Sequence, residues 1–169
     1  SYRRIRNTLR FLLANTSDFD PKKDAVPVSE MLELDRWALA RVDALQDRIL
    51  ELEQTYQFHL VTSLLMSFAT EDLGGFYLDV LKDRLYTTKA DGLPRRSAQT
   101  ALWHITATLL RLMAPILSFT AEEAFAVFSP NESGTIFTET NHMVPEVANA
   151  PELLAKWEAV RSARAKVLK

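Results

Sequence analysis

The sequence predicts an all-α protein, a bundle of packed helices, and three observations support that fold class. Apolar residues recur three and four positions apart in successive segments, the spacing that gives a helix one buried face. The chain has only 4 glycines and 7 prolines in 169 residues, too few for a sheet with many tight turns. Hydrophobic residues make up 47% and charged residues 25%, ordinary values for one globular domain.

The first half of the chain divides into three predicted helices. Residues 2–15 place an apolar face opposite a basic one, and the polar residues 16–29 predict a loop. A long helix is expected over 31–56 with Ser29 as its N-cap, because a serine hydroxyl can accept a hydrogen bond from a first-turn amide. A third helix is expected from Phe58. The inward faces carry Ile5, Leu9, Leu12, Leu34, Leu45, Ile49, Leu60, Leu64 and Leu65.

Two glycines interrupt the middle of the chain. Gly74 and Gly75 are expected to bend or break the third helix, because glycine is a poor helix former. Helix is then expected to resume and to run to about residue 87, with one apolar stripe and a basic far end. That far end gathers Lys82, Arg84 and Tyr86.

Prolines organise the second half of the chain. A polar turn ends at Pro94, which suits the first turn of a helix over 95–113. Pro115 interrupts that helix, because proline lacks an amide hydrogen and clashes with the preceding turn. A capping box at 120–123 is expected to restart helix through Phe128.

The remaining chain is predicted to be an irregular connector followed by one more helix. The connector covers 129–149, and its threonine-rich stretch 135–138 is a candidate short strand. The last helix opens at Pro151 and runs to about residue 168. Because no cap precedes the first helix, we expect Ser1 to lie inside a longer protein.

The charge balance excludes some classes of protein. The net charge is -2 and the isoelectric point about 5.9, which argues against unselective coating of DNA or RNA. The chain has no cysteine, no apolar run long enough for a membrane span and no signal-peptide core. We therefore expect a cytoplasmic protein with no membrane and no DNA partner.

No residue pattern indicates catalysis or metal binding. His59, His104 and His142 are isolated in the sequence, without a partner at metal-ligand spacing. Glu122 and Glu123 are adjacent on a predicted helix, so their side chains diverge, and no glycine-rich phosphate loop or nucleophile elbow is present. We expect no catalytic residue, no metal site and no cofactor in this chain.

A basic row on the first helix leaves two interpretations open. Arg3, Arg6 or Asn7, and Arg10 recur on one face, opposite the leucines. Such a row can be an ordinary solvated face. It can also present guanidinium forks and an amide to RNA phosphates and unpaired base edges.

Four motifs resemble those of isoleucyl-tRNA synthetases, a class I family, and they occur in the same order. They lie at 4–15, 31–39, 76–86 and 112–123. The first and last are similar to patterns shared with the valine and leucine enzymes. The middle two resemble the isoleucine enzymes in particular.

The resemblance implies a helical bundle of the class Ia aminoacyl-tRNA synthetase anticodon-binding type over 1–145. A helix over 146–169 would lead into a C-terminal region outside this chain. The family's HIGH and KMSKS signatures, its editing domain and its zinc-binding cysteines are absent from the sequence. The fragment is therefore expected to be inactive alone. The parent implied is an isoleucine–tRNA ligase that uses ATP with magnesium, with zinc as a candidate further cofactor.

The partners implied are isoleucine tRNA, held by its anticodon stem-loop, and the catalytic and C-terminal domains of the parent chain. Arginine and lysine would hold phosphates, whereas amide and aromatic groups would meet unpaired bases. The candidate tRNA-binding residues are Arg6, Asn7, Arg10, Lys82, Arg84, Tyr86, Arg95 and Arg96.

Two alternatives remain open from the sequence. One is a helical protein-interaction or scaffold domain that uses Trp37, Trp103 and Trp157 as anchors, since tryptophan is enriched at binding hot spots. The other is the anticodon-binding domain of the valine relative.

Overall fold

The computed structural model describes residues 2–168. Two predictions touch residues outside this range. Ser1, expected to lie inside a longer protein, and Lys169, the last residue of the predicted 146–169 unit, lie outside the described residues.

Residues 2–168 contain seven α-helices and no β-strand, so the predicted all-α class is confirmed. Proline sets two of the boundaries as predicted, since Pro94 lies in the first turn of the fifth helix and that helix ends two residues before Pro115. The helices are α1 (Tyr2–Asn15), α2 (Glu33–Gln54), α3 (Phe58–Ser67), α4 (Leu78–Thr87), α5 (Leu93–Met113), α6 (Ser118–Phe128) and α7 (Ala150–Val167).

The central helix is α5, which packs against α1, α2, α4 and α6. Apolar and small polar residues cover most of its circumference, as expected for a helix surrounded by others. Ala98, Leu102, Ile105 and Leu109 are fully buried along it. These four helices and α3 bury apolar residues that join those of α5 in one contiguous hydrophobic core.

The glycine pair was predicted to bend or break the third helix, and the predicted break was wrong. The chain remains helical and widens into a π-helical segment, Phe68–Tyr77, before α4 begins. A side chain on Gly74 would place its Cβ 3.2 Å from the carbonyl oxygen of Ala69, and one on Gly75 would place it 3.1 Å from that of Thr70. Each of these carbonyls lies five residues earlier, where i→i+5 winding brings it close.

Both predicted N-caps were also wrong. Ser29 lies in a 3₁₀ turn, Val28–Glu30, and α2 begins only at Glu33 with no side-chain cap. The amide of Leu32 donates instead to the Ser97 hydroxyl on α5, at 2.9 Å. Tertiary contacts therefore replace the local cap.

The capping box at 120–123 fails for a similar reason. Helix α6 begins at Ser118, ahead of the predicted cap. The Thr120 hydroxyl is 2.9 Å from the Tyr2 hydroxyl, and the Glu123 carboxylate accepts both arms of the Arg6 guanidinium. These groups join α6 to α1.

The candidate strand at 135–138 is a 3₁₀ turn, Ile136–Thr138, so the strand prediction was wrong. Buried Ile136 anchors this turn, and its amide donates to the Glu122 carboxylate at 2.9 Å. An isolated stretch without a neighbouring strand has no ladder to complete.

The last helix, α7, lies on the bundle surface against α2. Trp157 packs against Trp37 and Phe76, and the Arg161 guanidinium is 2.6 Å from the buried Asp72 carboxylate. The division of the chain at residue 145 stays a prediction. No helix within residues 2–168 has the length and apolar character to cross a membrane.

Candidate functional site

A buried carboxylate holds the basic end of α4 in place. Asp35 on α2 is fully buried. Its two carboxylate oxygens accept hydrogen bonds from the two terminal nitrogens of Arg84, at 2.6 and 3.1 Å. The hydroxyls of Tyr77 and Ser97 donate to the same carboxylate, each at 2.6 Å. A buried charge is tolerated only with such partners. Arg84 therefore ties α4 to α2 and α5.

The same contacts change the chemistry of Tyr77. Burial, and then the neighbouring Asp35 charge, raise the pKa of the Tyr77 hydroxyl well above its usual range. The hydroxyl therefore stays protonated and serves as a donor. We call Asp35, Tyr77, Arg84 and Ser97 the Asp35 network.

A second carboxylate, Asp18, holds the neighbouring arginines. It accepts hydrogen bonds from the two terminal nitrogens of Arg95, at 2.7 and 3.1 Å, and from the side-chain amide of Gln99, at 2.8 Å. The Arg95 guanidinium lowers the pKa of the Asp18 carboxyl. Arg95 also donates to the carbonyls of Leu85 and Ala90, at 3.3 and 3.0 Å, and so fixes the turn after α4.

Arg96 belongs to this second cluster. Its guanidinium donates to the Gln99 side chain at 2.8 Å and to the carbonyl of Asp18 at 3.2 Å, and it lies 3.6 Å from the Asp24 carboxylate. The side chains of Arg95 and Arg96 are only 16% and 18% exposed. Both are thus engaged mainly within the protein.

Two predicted residues near the C-terminal end of α4, Lys82 and Tyr86, are exposed. The Tyr86 ring is 67% exposed. Lys82 is also exposed, and its ammonium lies 3.2 Å from the Asp79 carboxylate in a surface pair. Surface pairs of this kind contribute little to stability and exchange readily for other partners. Lys82 and Tyr86 are therefore available to a ligand.

In the basic row on α1, Arg6 is the one member with an ion pair within residues 2–168, and Arg3 is exposed. Arg6 forms a fork on Glu123 of α6, with distances of 2.7 and 2.9 Å, and both side chains are exposed. The Arg6 hydrogen bonds lower the pKa of the Glu123 carboxyl. Asn7 and Arg10 are exposed. Within residues 2–168, Arg10 has no ion-pair partner.

The eight predicted residues thus do not form one cluster. Arg84, Arg95, Lys82 and Tyr86 share the end where α4 meets α5, whereas the α1 row lies on the flank beside α6. The acidic partners of these arginines were not predicted from the sequence; they are Asp18, Asp35 and Glu123. These partners are 77, 49 and 117 residues from their arginines, so no local pattern marks them.

The tryptophans are occupied by packing. Trp37 is buried beneath α7, and Trp157 covers it with a ring-centroid distance of 6.5 Å. Trp103 packs against Phe128 at 5.6 Å. None of the three is among the exposed large hydrophobic residues of the described chain, so the scaffold alternative loses its proposed anchors.

Two histidines that look isolated in the sequence meet in the structure. Nδ1 of His104 lies 2.8 Å from Nε2 of His142, and Trp103 contacts both rings edge-on. Burial lowers the pKa of each imidazole to about 4. The pair therefore stays neutral and fastens the connector to α5. No group of three or more His, Cys, Asp or Glu side chains suited to a metal occurs within residues 2–168.

Comparison with known proteins gives the family. Residues 35–168 match the family described as "Anticodon-binding domain of tRNA ligase". The chain is 60% identical over its full length to the isoleucine–tRNA ligase of Janthinobacterium sp. (strain Marseille). It is 63% identical over its full length to the isoleucine–tRNA ligase of Paraburkholderia phymatum and 62% identical over 99% of its length to that of Paraburkholderia phytofirmans.

The chain spans 18% of the length of each of these relatives. Its helical bundle and its exposed aromatic and basic groups agree with a domain that binds RNA. The family match covers all of α3 to α7 and nearly all of α2. The chain therefore belongs to the family of anticodon-binding domains of tRNA ligases.

Proposed function

We propose that this chain is the part of an isoleucine–tRNA ligase that binds the anticodon stem-loop of isoleucine tRNA. The observation that carries the proposal is the identity of about 60% with isoleucine–tRNA ligases along the whole chain. The valine alternative is less well supported, because the relatives named here are isoleucine enzymes. The domain supplies affinity and selection.

The proposed contacts follow from exposure and charge. Lys82 and Arg10 would meet phosphates, because their charged heads are exposed and weakly held or unpaired. Tyr86 would stack on an unpaired base, and Asn7 would bond a base edge. These four residues are the proposed direct contacts.

The remaining candidates have a different proposed role. Arg84, Arg95 and Arg96 would support binding by holding the end of α4, since a direct RNA contact would require them to leave buried or half-buried partners. Arg6 is intermediate, because its partner Glu123 is exposed and exchangeable. Its RNA contact stays part of the proposal.

The opposite end of the bundle suits a protein partner. Four aromatic side chains are exposed there, Tyr2, Tyr56, Phe58 and Phe119, and we call them the aromatic end. An apolar cavity of about 190 Å³ lies beside Tyr2. Exposed apolar patches of this kind indicate an interface. We propose that the catalytic domain of the parent chain covers it, because the relatives are more than five times as long as this chain.

The parent's chemistry lies outside this chain. We propose that the full-length ligase attaches isoleucine to its tRNA with ATP and magnesium in the cytoplasm, with zinc as a candidate further cofactor and with a C-terminal domain after α7. This chain would make no bond itself. Its role would be to hold the anticodon so that the acceptor end reaches the catalytic domain.

A salt series with matched tRNAs tests the proposal. Binding of this chain would be measured with isoleucine tRNA, with the same tRNA carrying a changed anticodon, and with valine tRNA. We expect binding that weakens steeply as salt rises and that is lost with the anticodon change. Equal binding to all three RNAs would contradict anticodon selection, and preference for valine tRNA would favour the valine alternative.

A further inference from the structure

A cavity of about 230 Å³ lies between α1 and α6, and it combines aliphatic walls with a charged rim. We call it the α1–α6 pocket. We propose that it binds a single unpaired nucleobase carrying an exocyclic amino group, with Glu123 as the residue that selects the base. This inference rests on the proposed function. The pocket is lined by Arg6, Leu9, Arg10, Leu13, Thr120, Glu123, Ala124 and Val127.

The walls suit the flat face of a base. Leu13 and Val127 flank the pocket from two helices, above the buried Leu9 and Ala124, so a base seated there would cover their exposed aliphatic carbon. Bases of a single-stranded loop are free to leave their stack and enter such a site. A paired base within a duplex would not reach it.

The rim supplies the polar contact. Both oxygens of Glu123 accept from Arg6, at 2.7 and 2.9 Å, and each oxygen keeps a further lone pair. The carboxylate side chain is 62% exposed, so those lone pairs are accessible. While this exposed pair is closed, the two hydrogen bonds from Arg6 orient the carboxylate at the rim.

The chemistry of a carboxylate decides which base is accepted. An ionised carboxylate accepts hydrogen bonds and donates none. Adenine, cytosine and guanine each offer an amino group as a donor. Uracil offers only its N3–H, which lies between two carbonyl oxygens that would repel the carboxylate. Glu123 therefore favours the amino-bearing bases over uracil.

Arg10 completes the site from α1. Its side chain is exposed and, within residues 2–168, has no ion-pair partner. It lies one helical turn from Arg6, so it can hold the phosphate attached to a base in the pocket. In this proposal the aliphatic residues contact the face of the base, Glu123 contacts its edge and Arg10 contacts its phosphate.

Mononucleotides test the pocket without a complete RNA. The chain, with labelled methyl groups, would be titrated with AMP, CMP, GMP and UMP, and with ribose 5-phosphate as the probe without a base. We expect the methyl signals of Leu9, Leu13 and Val127 to shift with the amino-bearing nucleotides, with UMP binding about tenfold more weakly. Equal shifts with ribose 5-phosphate, or none with any nucleotide, would overturn the proposal.

Two variants separate entry into the pocket from general attraction. Val127→Trp fills the pocket from an exposed position and should abolish the shifts of Leu9 and Leu13. Val160→Trp, at an exposed position on α7, is the matched control and should leave them unchanged. If nucleotides still shift these methyl groups in Val127→Trp, the base does not enter the pocket.

Glu123→Gln tests selection itself. Glutamine can accept and donate, and it also frees the Arg6 charge, so UMP should bind as well as the other nucleotides. An unchanged preference against UMP would remove Glu123 from the selecting role. Glu132→Gln, the same change at an exposed position outside the pocket lining, serves as the control and should keep the preference.

The anticodon stem-loop, titrated in parallel, distinguishes this inference from the proposed function. If the stem-loop binds wild type and Val127→Trp equally while nucleotides leave the pocket methyl groups unshifted, the function stands and the pocket fails. If nucleotides bind selectively but the stem-loop does not bind at all, the pocket stands and the proposed function of this chain fails.

Discussion

The end of α4 and the α1–α6 flank both present arginines in ion pairs, yet the two regions differ in burial. At the end of α4, Arg84 pairs with Asp35, whose side chain is completely buried. On the flank, Arg6 and Glu123 have 42% and 62% of their side chains exposed. A buried pair cannot lose one member without leaving an uncompensated charge, whereas an exposed pair is solvated when it opens. The first pair therefore maintains the fold, and the second is free to exchange partners.

The spacing of the arginines in a basic cluster does not show which of them are held inside the fold. Arginines that look alike in sequence either hold helices together or stay open to the proposed RNA contact, according to the acid that the fold brings to them. Exposure of the carboxylate, rather than the spacing of the arginines, separates the two roles. Four substitutions, at Arg84, Tyr86, Asp18 and Arg6, test this separation.

Arg84→Ala should produce the largest loss of stability. Removing the guanidinium leaves Asp35 charged and buried, which costs about 3–5 kcal/mol of unfolding free energy. Urea denaturation followed by circular dichroism would measure it. Lys82→Ala, two residues away and exposed, is the control and should change stability by no more than about 0.5 kcal/mol. Similar stability of the two variants would contradict a structural role for Arg84.

Tyr86→Ala should affect binding rather than folding. Loss of one stacking contact should cost about 1–3 kcal/mol of binding free energy with isoleucine tRNA. The unfolding midpoint should stay that of wild type, because the ring is mostly exposed. Fluorescence anisotropy with labelled tRNA provides the measurement, and Tyr86→Phe should retain most of the affinity. Equal weakening in both variants would exclude stacking.

Asp18→Asn should destabilise the chain by about 1 kcal/mol, because it weakens charged hydrogen bonds that are partly screened by solvent. The pKa of Asp18 is lowered in the folded state, so its contribution is present above the unfolded pKa of about 3.9 and is lost as pH falls through the lower folded value.

Thermal unfolding of wild type and Asp18→Asn between neutral and strongly acidic pH would show this dependence. The gap between the two unfolding midpoints should be widest near neutral pH and should close in acid. A gap that does not narrow in acid would assign the effect to lost packing rather than to charge.

Arg6→Ala should have the smallest effect on stability, since both members of its pair are solvated. Its effect should appear in RNA binding, through the lost phosphate contact and the altered rim of the α1–α6 pocket. The slope of affinity against salt should become shallower by about one unit. A loss of stability as large as that of Arg84→Ala would remove the distinction between the two regions.

Much of the fold could be predicted from the sequence. Helical periodicity predicted the bundle, and Pro94 and Pro115 marked two boundaries because proline acts on its own backbone. The caps at Ser29 and Thr120 failed, because their helices begin elsewhere and their neighbours have tertiary partners. The wide π winding depends on packing on both sides of the chain and has no local signal beyond the glycines.

The candidate site was predictable as a set of residue types but not as an arrangement. Asn7, Arg10, Lys82 and Tyr86 are exposed, as ligand-binding residues must be. The roles of Arg84, Arg95 and Arg96 depend on carboxylates from distant parts of the chain, and a single sequence does not show which acid reaches which arginine. The His104–His142 pair escaped prediction for the same reason.

The π-helical segment, Phe68–Tyr77, joins α3 directly to α4 and sets how far α4 is rotated about its axis relative to α3. Because i→i+5 winding turns the chain less per residue than α-helical winding does, α4 emerges rotated relative to α3. That rotation points Arg84 at Asp35 and leaves Tyr86 facing solvent. With ordinary winding, the same residues would point elsewhere. The segment that contains the two glycines thus sets the rotation of α4 about its axis. That rotation decides which α4 side chains are buried in the bundle and which are exposed to solvent.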